Sequence, residues 1–242
     1  MSIFVFTGPS LPPDDARTEL EAVFLPPVSQ GDMIRVVRNQ PQAIGIIDGF
    51  FESVPAVWHK EILYALSQGI HVFGSASMGA LRAAELAPFG MVGVGAIFEA
   101  FRNGFLEDDD EVAVINGPAE LGYPVLSEPM VNIRRTLSDA TRECVITETT
   151  RQTLERIAKA LPYSRRSYFR IIDVGSKEGL SQDTLERLRT WLPSGSVDQK
   201  REDAILMLRT MRQRLGELGE PRPVGFHFEH TTLWESALRP AA

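Results

Sequence analysis

The sequence predicts an α/β protein: an open, mostly parallel sheet flanked by helices, followed by a helical C-terminal portion. Three observations carry this. Short, fully apolar runs ending in Gly- or Pro-containing turns recur through the first 120 residues, as strands of a sheet covered on both faces require. Stretches with helical spacing lie between them, so strands and crossovers alternate. From about Pro129 the apolar runs stop and helical periodicity takes over. The expected division is an α/β core carrying the site over residues 1–128 and a helical portion over residues 129–242.

The elements follow in order. Ile3–Phe6 is a strand closed by the turn Thr7-Gly8-Pro9-Ser10. Val23–Leu25 is a second strand, stopped by Pro26-Pro27. Gly31–Arg38 is a short helix. Ala43–Ile47 is a third strand, closed by Asp48-Gly49. Pro55 opens a helix to about Gln68, with Trp58, Ile62, Ala65 and Leu66 at helical spacing and Gly69 as its stop. Ile70–Phe73 is a fourth strand. Met78–Leu86 and Gly95–Arg102 are helices, and Val112–Ile115 is expected as a fifth strand. Helices then cover 129–142, 148–160, 165–172, 181–191 and 198–218, with a turn at Ser194-Gly195-Ser196. In the last helix Ile205, Leu208, Met211, Leu215 and Leu218 form one apolar stripe. The tail after Pro221 reads as irregular or briefly extended.

Composition narrows the function classes. With 43% hydrophobic and 24% charged residues, the 242-residue chain is globular rather than disordered or fibrous. Residues 1–128 carry 6 Lys+Arg against 17 Asp+Glu, a balance of −11, and residues 129–242 carry 19 against 15, a balance of +4. The acidic half argues against a nucleic-acid surface, and the mixed second half is only weakly basic. One cysteine, Cys144, excludes an internal disulfide and a Cys-rich zinc site. No run approaches the roughly 20 apolar residues that span a bilayer. The expectation is a soluble, cytoplasmic protein with no metal of its own and no nucleic-acid or membrane partner.

The richest segment is His71-Val72-Phe73-Gly74-Ser75-Ala76-Ser77-Met78-Gly79-Ala80. A strand ends, small residues turn the chain, and a helix begins. Ser75 and Gly79 flank Ser77 at −2 and +2, the spacing of a nucleophile elbow. The Met78 N–H would then face a developing oxyanion. Two other readings stand beside it: Ser77 as a helix N-cap, or the turn as an anion site. A serine nucleophile needs a base. His59 and Lys60 stand near the start of the helix leaving the Asp48 loop, on the rim where open parallel sheets bind ligands. Asp48 is placed to orient that base, and Glu52 shares its loop. Gly49, Gly8 and Ser10 are further anion-binding candidates on this rim. Arg82 and Glu85 form an i,i+3 pair that either sits on the surface or supports the rim. His227 and His230 read as a surface pair. Glu107, Asp108, Asp109, Asp110 and Glu111 place five carboxylates in a row. Such a run is solvated, binds cations or faces a basic partner.

These motifs resemble the TfuA-like family. The resemblance rests on Ala43–Ile62, on His71–Leu86, on Phe89-Gly90-Met91, on Leu106–Val114, on Gly117-Pro118-Ala119-Glu120 and on Ser127-Glu128, and covers roughly residues 2–140. Asn116 stands where relatives are expected to carry His. The resemblance implies work beside a YcaO-type enzyme that converts a peptide-backbone amide to a thioamide. That partner would use ATP and magnesium, and this chain would need no cofactor. It would help supply sulfide or activate its partner. Combined with the elbow, the expected substrate is the thiocarboxylate of a ubiquitin-like sulfur carrier, attacked by Ser77. The competing expectation is a non-catalytic activator or scaffold that binds the YcaO enzyme and the precursor peptide.

Overall fold

The structure is a computed structural model and describes residues 2–50, 54–217 and 223–238. Strands β1 (Ile3–Phe6), β2 (Val23–Leu25), β3 (Ala43–Ile46), β4 (His71–Gly74) and β5 (Val92–Gly93) pair in one parallel sheet ordered β2-β1-β3-β4-β5. Ile3 pairs with Ala43, Ala43 with His71 and Phe73 with Val92. Strand addition reverses direction between β1 and β3. The loops after those two strands meet at the carboxyl rim, where the direction of strand addition switches.

The sheet is covered on both faces, which is why β3 is apolar at every position. Alternation sends Val5, Ala43, Ile47 and Phe73 to one face, where they pack with Leu11, Ala16 and Leu20. Ala204, Met207, Leu208 and Met211 complete that cluster. The opposite face packs against α3 (His59–Ser67) and α4 (Met78–Leu86), beside the shorter α2 (Asp32–Val37). Contact at α4 is so close that a Cβ on Gly79 would sit 1.7 Å from the Ile46 carbonyl oxygen.

The chain forms two compact units, residues 1–106 with 201–242, and residues 107–200. The second is helical, with α6 (Met130–Arg142), α7 (Glu148–Ala160), α8 (Tyr168–Lys177) and α9 (Gln182–Gly195) around Ile133, Leu137, Leu154, Ile157, Ile171, Leu185 and Leu188. The α/β class with a helical C-terminal part is as expected, but the division does not fall at residue 128. The reason is α10 (Gln199–Glu217). Its buried stripe is Ala204, Met207, Leu208 and Met211, and it lies on the sheet, above Gly45. The Leu215 side chain and Leu218, expected in that stripe, lie outside the described residues.

Other elements also differ. The fifth strand is Val92–Gly93, not Val112–Ile115. Val112 and Ala113 are buried after a 3-10 turn at Asp109–Glu111, without strand pairing. The first unit contains an unexpected helix, α1 (Pro13–Glu19), and another, α5 (Ala96–Arg102), where one was expected. Helix α3 starts at His59 rather than Pro55, and α9 continues through Pro193 to Gly195. The tail is not all irregular, because α11 spans Thr232–Leu238.

Candidate functional site

The turn between β4 and α4 carries the most unusual local geometry. Ala76 has φ +63°, a left-handed value uncommon for a residue with a Cβ. Ser77 follows at φ −121°, ψ −121° and caps α4 through its backbone. Its carbonyl oxygen accepts from Ala80 N–H at 2.9 Å and from Leu81 N–H at 3.3 Å. Its hydroxyl does not cap the helix and makes no hydrogen bond among the described residues, although Ser77 is only 3% exposed. The next amide behaves alike: Met78 N–H has no partner among the described residues, while Gly79 N–H donates to Ile47 O at 3.3 Å. One hydroxyl and one adjacent donor are thus unclaimed at the start of a helix, where the dipole favours negative charge. Met78 packs against the β3 loop, since a Cβ on Gly49 would lie 2.6 Å from Met78 Cγ.

Asp48 is buried at the end of β3 and organises the neighbouring rim loop. Its Oδ2 accepts from Gly8 N–H at 2.9 Å and Ser10 N–H at 3.0 Å, and its Oδ1 accepts from the Ser10 hydroxyl at 2.6 Å. The amides of Gly8 and Ser10, expected as anion donors, are therefore satisfied by Asp48. Asp48 stabilises that loop and does not orient a histidine.

His59 and Lys60 lie elsewhere. His59 Nε2 is 2.7 Å from Glu85 Oε2, which also accepts from Arg82 Nη1 at 2.9 Å. Glu85 stands eight residues along α4 from Ser77, about 12 Å at 1.5 Å per residue. The structure does not bring His59 to Ser77. Lys60 Nζ donates to Thr231 Oγ1 at 3.2 Å and lies 5.4 Å and 5.9 Å from the ring centroids of Phe228 and Trp234, a cation–π arrangement that holds the tail. Arg82 and Glu85 thus anchor the start of α3 to α4. Glu52 lies outside the described residues.

Ser75, marked in the sequence as a supporting residue, and two side chains it left unmarked, Asp203 and Glu61, complete the picture. Ser75 Oγ is 2.8 Å from Val94 O and 2.9 Å from Asp203 O, which it can serve with its single proton. The Asp203 carboxylate accepts from Ala96 N–H at 3.1 Å and Ile97 N–H at 2.8 Å, capping α5 from α10. The residue before Ser77's strained neighbour is thus tied to two elements. Glu61, fully buried, accepts from Gly31 N–H at 2.8 Å and from Trp58 N–H at 3.4 Å. Burial pushes its carboxyl above the ordinary value, and those hydrogen bonds pull partly back. Its place three residues after Trp58 is a capping-box spacing that was legible in sequence.

The acidic run is paired within the second unit. Asp110 meets Arg166, whose side chain is 1% exposed, and also Lys159. Glu111 accepts two bonds from Arg134, both at 2.9 Å. Lys159 is 2.9 Å from Asp108 and 3.0 Å from Glu111. Burial pushes the Asp110 carboxyl up, but hydrogen bonds from Lys159 and Arg166 outweigh it and hold it below the ordinary value. Burial likewise lowers Lys159, and hydrogen bonds to Asp110, Asp108 and Glu111 outweigh that and push it up to about 12. Much of the run thus serves as internal structure. Glu107 and Asp109 have no ion pair among the described residues.

Among the described residues no three His, Cys, Asp or Glu side chains converge as a metal site, and no helix is long and apolar enough to cross a membrane. Comparison with known proteins gives one family: the model described as TfuA-like protein matches residues 48–167, about half of the chain. That span contains the Ser77 turn, α3, α4 and the acidic run. No curated protein matches the chain.

Proposed function

The chain belongs to the TfuA-like family, which points to a role in thioamidation-associated processes, and we propose that it releases sulfide for a YcaO-type enzyme. The substrate is the C-terminal thiocarboxylic acid of a ubiquitin-like sulfur carrier. Ser77 Oγ attacks the carbonyl carbon and Met78 N–H donates to the oxyanion. The C–O bond to Ser77 forms, the C–S bond breaks, and the hydroxyl proton leaves with sulfur as hydrogen sulfide. Water then cleaves the Ser77 ester, returning the hydroxyl and a free carrier carboxylate. The YcaO enzyme, using ATP and magnesium, activates the amide of the precursor peptide that receives the sulfide.

The observation that carries this reading is the Ser77 hydroxyl, which has no hydrogen bond among the described residues, beside the unclaimed Met78 N–H and the left-handed Ala76. A hydroxyl kept for capping would accept from the amides of the first helical turn, and this one does not. For His59 or Lys60 to take the proton, the first turn of α3 must swing toward Ser77. Glu85→Ala, which releases His59, tests this, and an unchanged rate removes His59 from the mechanism.

A second reading has its own observation: neither His59 nor Asp48 is bonded to Ser77, and both are held by other groups. Under it the chain is a non-catalytic activator that binds the YcaO enzyme and the precursor peptide. Ser77→Ala separates the two. Given thiocarboxylated carrier, the variant loses sulfide release under the first reading. Unchanged release together with intact thioamidation leaves the activator.

A further inference from the structure

A shallow cleft of about 450 Å³ opens in the first unit between residues 55–60 and Arg82. Pro55, Ala56, Val57 and Trp58 form a mostly apolar wall, and the polar lining is His59, Lys60 and Arg82. No carboxylate among the described residues lines it. Positive charge is gathered here in the part of the chain whose overall balance is acidic.

Arg82 is the informative side chain. Its side chain is 15% exposed, so most of it is out of bulk water. Nε donates to Val57 O at 3.4 Å and Nη1 to Glu85 Oε2 at 2.9 Å. Its Nη2 has no partner among the described residues. A partly desolvated guanidinium with an open N–H edge selects planar anions that accept two bonds. Glu85 Oε2 is already shared between Arg82 and His59, and Lys60 adds an ammonium that meets Thr231 and the Phe228 and Trp234 rings but no carboxylate among the described residues. The cations exceed the carboxylates that meet them. The apolar wall with Trp58 suits a chain segment rather than a bare ion.

We propose that this cleft binds an acidic peptide segment of a partner protein, with a carboxylate on the open edge of Arg82 and a second near Lys60. This binding does not depend on the chemistry assigned to Ser77, and the test keeps the two apart. The probes are a fluorescein-labelled Glu/Asp/Leu hexapeptide and its Gln/Asn/Leu counterpart, titrated by anisotropy into the whole chain at low and moderate salt. The acidic probe is expected to bind about tenfold more tightly than the neutral one and to weaken as salt rises. Arg82→Gln removes most of that preference. Lys60→Gln, which leaves the Val57 and Glu85 bonds of Arg82 intact, reduces it by a smaller factor, so a folding defect in Arg82→Gln does not decide the matter. Ser77→Ala binds like the wild type even if sulfide release is lost. Equal binding of the two probes overturns the proposal, as does unchanged binding in both cleft variants. Inorganic phosphate displacing the acidic probe where equimolar glutamate does not also overturns it, by assigning the cleft to phosphate.

Discussion

The Ser77 turn and the acidic run 107–111 use polar groups in opposite ways. At the turn a hydroxyl and a neighbouring amide lack partners among the described residues, and the adjacent Ala76 holds an uncommon backbone angle. In the run, Asp108, Asp110 and Glu111 meet Lys159, Arg166 and Arg134. The matched charges of Asp108, Asp110 and Glu111 stabilise one arrangement and have little left to offer a ligand. Unmatched groups at a helix start cost stability and leave interactions for an incoming molecule. The difference separates a structural network from a candidate reaction site.

The largest effect that sharpens this contrast is expected at Arg166. Arg166→Ala leaves Asp110 with Lys159 alone, removes the guanidinium bonds to the Ala158 and Asp110 carbonyl oxygens and opens a cavity, and removing the buried member of such a pair costs about 3–5 kcal/mol. Chemical denaturation followed by near-UV signals of the second unit reads this. Ser75→Ala comes next. It removes the hydroxyl that donates to the buried Val94 carbonyl oxygen, which costs about 1–3 kcal/mol, and it loosens the support beneath Ser77. A lower unfolding midpoint together with reduced sulfide release is the expected pair of results.

Acid separates the two regions more gently. Asp110 titrates below its ordinary 3.8 in the folded chain, so its contribution is complete above the unfolded value and fades as pH falls through the lower, folded one. Wild type should therefore lose stability below about pH 4, and Asp110→Asn should flatten that limb while lowering the plateau. Equal acid limbs in the two proteins would detach Asp110 from the network. The smallest change is expected from Ser77→Ala. With no hydrogen bond to lose, its stability should stay within about 0.5 kcal/mol of wild type. A larger loss, seen in the same denaturation curves, would mean that Ser77 supports the fold.

Much of this was legible in sequence. The apolar runs at β1, β3 and β4 are long and cleanly bounded, so their strands emerged from pattern alone. β5 has two residues, Val92 and Gly93, too few to show any period, and the more apolar Val112–Ile115 drew the strand assignment instead. The helicity of α10 was plain. Its target was not, because an amphipathic stripe shows that something is covered without showing what. The Ser77 turn was found from small-residue spacing. The partners of His59 were not, because they depend on α3 beginning at His59 and on α4 presenting Glu85 and Arg82 to it. The acidic run was visible, but its cations come from residues 134, 159 and 166, at separations that no local pattern reports.

The central claim is that Ser77 is the group that opens the carrier thiocarboxylate. Its most direct test is single-turnover sulfide release from thiocarboxylated carrier, with acyl transfer to the protein followed by intact mass. Wild type should release one sulfide per carrier and pass through a carrier ester at Ser77, whereas Ser77→Ala should do neither while remaining folded. Sulfide release by Ser77→Ala at the wild-type rate would contradict the claim.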